Sequence, residues 1–129
     1  FGRHPRHPLD FMRTVTDERT VLEYLRLPRA DLLASQFSAR GAFKPVHFVA
    51  LDRRQEAVVV AIRGTLHATD ALTDLVCDYV QWRQPDGYVH SGMLAAARWL
   101  HEQLGEVLVE AMTRTGAKKL YLVGHSLGG

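Results

Sequence analysis

The sequence predicts an α/β protein whose mostly parallel sheet is entered through an N-terminal hairpin and flanked by helices. Three observations carry that expectation. Ala57-Val58-Val59-Val60-Ala61-Ile62 is an unbroken apolar run rich in β-branched residues, the pattern of a strand with both faces covered. Met93, Ala97, Leu100, Leu104, Leu108 and Ala111 recur at spacings of three and four, which predicts a helix over 93–115 with one buried stripe. Leu120-Tyr121-Leu122-Val123 then forms a second apolar run, so strand, helix and strand make a crossover between parallel, buried strands.

Composition allows such a fold and excludes others. The 129 residues are 47% hydrophobic and 23% charged, enough apolar material for a core and too little charge for a disordered tail. Sixteen Lys and Arg against fourteen Asp and Glu give a net charge of +2, which provides no field that would favour nucleic acid as a partner. A lone cysteine, Cys77, cannot form an internal disulfide and fits a reducing compartment. No apolar stretch reaches the roughly 18 residues of a membrane span, and the first ten residues lack a signal-like hydrophobic stretch. The location is left unknown by the sequence, with a cytoplasmic or peripheral-membrane one favoured and a secreted protein without bridges still open.

Residues 1–13, with His4-Pro5 and His7-Pro8, predict an irregular arm, and 14–129 one folded unit. Thr14, with Asp17 three residues later, suggests a helix N-terminus; Val15, Leu22 and Leu25 line one face until Pro28 ends the helix. Arg29 to Phe37 is expected to form a second short helix anchored by Leu32 and Leu33. After Gly41 and Pro45, the run from His47 to Leu51 predicts a strand, and the polar turn Asp52–Glu56 joins it to 57–62 as a hairpin. Gly116 is placed to cap the long helix, in which Gly105 is a mild liability.

Gly124-His125-Ser126-Leu127-Gly128 is the chemical signal. A serine between glycines, directly after a strand, can occupy a sharp turn in a strained backbone conformation, because its neighbours are small enough for the turn to close. Ser126 would then stand exposed at the carboxyl end of the sheet as a nucleophile, with the Leu127 N–H beside the developing oxyanion. A tight Gly-Ser turn without chemistry is the plain alternative. A phosphate loop is disfavoured, since the segment has neither a P-loop lysine nor G-x-G-x-x-G spacing. Arg63-Gly64-Thr65, at the end of the first apolar strand, could offer a backbone N–H and a hydroxyl to the same place.

Four blocks in order, VVVAIRGT at 58–65, DALTDL at 70–75, VHSGM at 89–93 and LYLVGHSLGG at 120–129, resemble the class-three lipases of α/β-hydrolase fold. With HFVALD at 47–52, they look most like the branch of sn-1-specific diacylglycerol lipases. The resemblance spans about residues 28–129 and implies a partial α/β-hydrolase fold. It implies Ser126 as nucleophile, Thr65 and Leu127 as oxyanion donors, no metal and no cofactor. A lipid ester is the implied substrate, and a membrane or lipid-droplet surface a candidate partner. A lid is implied over about 66–88, where Leu66 to Val80 reads as an amphipathic helix with Asp70, Asp74 and Asp78 four apart on a solvated face. Tyr79, Val80 and Trp82, before Pro85-Asp86-Gly87, would form an apolar flap.

A serine hydroxyl needs a histidine to take its proton and a carboxylate to hold that histidine. In hydrolase order both come after the serine, yet all seven histidines precede it. His125 is expected to pack against the sheet, His90 and His101 to be structural, and His67 to belong to the lid. The expectation is thus the N-terminal part of a catalytic domain that by itself is inactive and poorly soluble. A non-catalytic lipid-binding or interaction module on the same scaffold is the alternative reading, and a hydrolase of soluble esters or thioesters a third.

Overall fold

The computed structural model describes residues 18–38, 43–64, 78–83 and 86–129. The arm at 1–13, the cap residues Thr14 and Asp17, Thr65, and the 66–77 part of the expected lid lie outside the described residues. The first helix, α1, runs Glu18–Leu25. It stops before Pro28: Arg26 turns left-handed at φ 50°, the Leu27 N–H donates to the Leu22 carbonyl at 2.9 Å and the Arg26 N–H to Glu23 at 3.3 Å, which satisfies carbonyls the helix end would otherwise leave bare.

The expected second helix is not present. Arg29–Asp31 makes one 3-10 turn and Leu32–Gln36 is a strand, β1. Leu, Ala and Gln favour helix locally, but tertiary pairing overrides so weak a preference: Ala34, Ser35 and Gln36 pair antiparallel with Val49, Phe48 and His47, with an irregularity between Leu32 and Ala34. Strands β2 (His47–Asp52) and β3 (Ala57–Ile62) form the expected hairpin, in register from His47↔Ile62 to Asp52↔Ala57.

Downstream, β4 (Tyr79–Arg83) and β5 (Asp86–His90) form a separate two-stranded sheet. Tyr79 and Val80 thus belong to a strand rather than to the expected lid helix. Helix α2 covers Ser91–Thr115 and ends on Gly116, left-handed at φ 69°, whose N–H bonds the Met112 carbonyl at 3.0 Å. The last strand, β6 (Lys119–Gly124), pairs parallel with β3 from Ala57↔Lys119 to Ile62↔Gly124. The larger sheet has the order β1-β2-β3-β6. The crossover is as the sequence predicts.

Helix α2 covers one face of that sheet. Val49, Val58, Val60, Leu104 and Ala111 are the buried cluster, with Leu100, Leu108 and Met112 packed against it. The predicted stripe holds over the middle and end of the helix, whereas Met93 is 46% exposed and Ala97 is exposed as well. Two expectations of full burial are corrected. On the far face of β3, Val59 and Ala61 are only half-buried. Strand β6 is exposed at every residue and among the described residues pairs only with β3.

Candidate active site

Because Ile62 and Gly124 are partners across the parallel pair, the chain leaves both strands at the same level of the sheet. The two segments that continue from these strand ends are therefore brought together. After β3, the Arg63 N–H continues the pairing by donating to the Val46 carbonyl at 2.9 Å, and Gly64 is buried. After β6, His125 stays extended at φ −131°, ψ 136°. Ser126 then turns to φ 57°, and Ser126–Gly128 makes one 3-10 turn. The Gly128 N–H donates to His125 at 3.0 Å and the Gly129 N–H to Ser126 at 3.1 Å.

A positive φ is unfavourable for a residue with a Cβ. Arg26, Phe43 and Glu56 also have one, so the value alone does not mark a site. Ser126 differs in its surroundings. It is exposed, stands at the carboxyl end of a parallel strand, and is braced by two glycines whose missing side chains let the turn close. A Cβ on Gly124 would overlap the Gly128 carbonyl, and one on Gly128 would stand 2.5 Å from the Ile62 oxygen. The Leu127 N–H lies ahead of the turn's own bonds, which begin at Gly128. It sits beside Gly64: a Cβ built there would be 3.2 Å from the Leu127 nitrogen and 3.0 Å from Ser126 Cβ.

The predicted residues are thus partly assembled. Ser126 and Leu127 share one corner with Gly64, while Thr65 lies outside the described residues. Sequence reasoning singled out Arg63-Gly64-Thr65 for its donors and missed that Gly64 is the surface on which the corner rests; the signal was a glycine directly after the inner strand. Burial lowers the Arg63 guanidinium below its usual value.

The described histidines are occupied elsewhere or exposed. His125 is exposed, contrary to the expected packing on the sheet, as is every residue of β6 before it. His90 is structural as expected: its Nδ1 accepts the Met93 N–H at 3.3 Å and caps α2. His47 is buried with Nδ1 2.9 Å from the Pro45 carbonyl, which makes that nitrogen the donor, and its ring meets Trp99 edge-on at 5.7 Å. Of the acidic stripe, only Asp78 is described, and its carbonyl accepts the Ser91 N–H at 2.8 Å. Among the described residues no cluster of His, Cys, Asp or Glu could hold a metal ion, and no helix is long and apolar enough to cross a membrane.

A four-stranded sheet with its helix crossover and a strained serine at the strand end is consistent with part of an α/β-hydrolase fold. The fold is matched by the crystal structure of a lipase from Rhizopus microsporus var. chinensis, with TM-score 0.64 and 24% identity over 89% of this chain and 39% of that one. Rhizomucor miehei triacylglyceride lipase aligns with TM-score 0.64 and 19% identity, over 93% of this chain and 49% of that one. The profile of the family "Lipase (class 3)" matches residues 59–129, more than half of the chain. The chain belongs to the class 3 lipases. It is 41% identical over 115 residues to diacylglycerol lipase-beta of Mus musculus, and 39% identical over 99 residues to diacylglycerol lipase-alpha of Homo sapiens. It spans 17% and 10% of their lengths.

Proposed function

We propose that the chain supplies the nucleophile of a serine esterase that hydrolyses acyl esters of glycerolipids, diacylglycerol-like in kind, through an acyl-enzyme at Ser126. The observation that supports this most is the exposed serine at φ 57° above the carboxyl end of a parallel pair, packed on the bare backbone of Gly64. A strained backbone that holds an exposed serine at the strand end fits a hydroxyl kept in place to react.

In this reading Ser126 Oγ attacks the ester carbonyl as a histidine accepts its proton, and the resulting oxyanion meets the N–H of Leu127 and a donor from Thr65. The alkoxide leaves with that proton, and water releases the acid in a second attack. Residues 14–129 are the N-terminal part of the catalytic domain, in keeping with the small share of the relatives' length that is matched. None of the described histidines is hydrogen-bonded to Ser126. By themselves, then, the 129 residues should be inactive, or retain at most the roughly 10³ to 10⁴-fold acceleration over water that survives the loss of a triad member. The diacylglycerol-like substrate class is supported by the two mammalian relatives, and a lipid surface as partner by the family.

The test is labelling of the full-length protein with a fluorophosphonate, which reacts only with an activated serine. Wild type should label to completion and Ser126→Ala should not label at all. Persistence of the label in the variant would show that the nucleophile is another residue.

A further inference from the structure

The backbone after β3 meets the backbone after β6 at Gly64 and Gly128, which carry no side chain. A Cβ on Gly64 would stand 3.0 Å from Ser126 Cβ and 3.2 Å from the Leu127 nitrogen, and would press into the His125 carbonyl oxygen. These atoms are backbone or the root of a side chain, so none can swing aside. From the other side, a Cβ on Gly128 would lie 2.5 Å from the Ile62 oxygen and 3.0 Å from both the Arg63 carbonyl carbon and the Gly64 nitrogen. Gly87 and Gly105, by contrast, have nothing within 4 Å of such an atom. Nor does Gly64 serve a special backbone conformation, since Gly116 is the glycine with positive φ among the described residues. With no positive φ at 64, the obstacle to an alanine there is space.

We infer that Gly64 is a positioning residue. Its bare Cα sets how closely the end of β3 approaches the serine's corner, and so fixes where the Ser126 oxygen and the Leu127 N–H stand relative to each other. The His125 oxygen that a methyl at 64 would displace is also the acceptor that closes the turn, from Gly128 at 3.0 Å. Displacement there moves the nucleophile and the donor together. A misplacement of about 1 Å can cost about 10²-fold in rate. This inference rests on Ser126 being the nucleophile.

The experiment uses the full-length protein with Gly64→Ala and Gly64→Ser, a fluorophosphonate as covalent probe, and p-nitrophenyl butyrate as a soluble ester. Two quantities are read from labelling: the fraction labelled at completion, which counts competent molecules, and the rate constant. Gly64→Ala should reach the wild-type fraction about 10- to 100-fold more slowly. Its kcat should fall by a like factor with KM within about twofold, and Gly64→Ser should be at least as slow. The inference is overturned if labelled molecules of the variants react at the wild-type rate, whatever their number, or if KM rises while kcat holds. It is overturned also if neither variant folds, since Gly64 would then be a folding requirement. Label persisting in Ser126→Ala is a separate result, which removes the nucleophile assignment and this inference with it.

Discussion

Asp31 has 2% of its surface exposed, and a carboxylate so buried must have its oxygens satisfied. Arg53, in the turn between β2 and β3, does this with a fork: Nη2 lies 2.7 Å from Oδ1 and Nε 2.8 Å from Oδ2. The hydrogen bond to Asp31 and then its charge raise the Arg53 pKa, against a smaller lowering by desolvation. A raised cationic pKa adds stability at every pH below the ordinary arginine range, with the gain lost only as pH rises through the raised value. Arg53→Ala should therefore lower the melting temperature across the whole neutral range. Arg53→Lys should fall between the variant and wild type, because an ammonium cannot make the fork; thermal melts of the full-length proteins will give the order. Residues of this kind were poorly legible in the sequence. Ser126 could be found because its glycines stand at fixed distances along the chain, but the partners of Asp31 and Gly64 are 22 and about 62 positions away, and no local pattern reveals them.

Elements whose period is imposed by burial were the readable ones. Helix α2 was legible because half of its length packs Leu100, Leu104, Leu108, Ala111 and Met112 on the sheet, and β3 because its run is unbroken. Strand β1 was misread, since Leu32-Leu33-Ala34-Ser35-Gln36 has helix-favouring composition and becomes a strand only by pairing with β2. Hairpin β4–β5 was hidden for a related reason: all five residues of β4 are exposed, so burial imposes no alternation on them. Gly105 tests the other side of helix energetics. It lies inside α2 with open space around it, so Gly105→Ala should stabilise the full-length protein by about 0.5 to 1 kcal/mol, through helix propensity alone. Chemical denaturation will measure this, and a loss of stability would mean that the site is less open than it looks.

At the scale of the whole molecule, the sheet has one side left uncovered by the described residues. Leu122 is 69% exposed on β6, Val123 48% and Leu120 42%, along a strand whose outer N–H and C=O groups face no strand among the described residues. Such an edge is a template for further pairing. Residues 1–129 expressed alone should associate into large species in light scattering after gel filtration, whereas a monomer with a sharp cooperative melt would contradict this.

The level ending of β3 and β6 carries a further meaning for how the gene can vary. Each strand has six residues between its start, at Ala57 or Lys119, and its finish, at Ile62 or Gly124, so the two act as matched rulers that deliver their tips to one height. One residue inserted into either would shift its tip by about 3.3 Å and turn its side chains to the opposite face, separating Gly64 from the serine it supports. Changes of length should be confined to the connections between elements, outside the two paired strands.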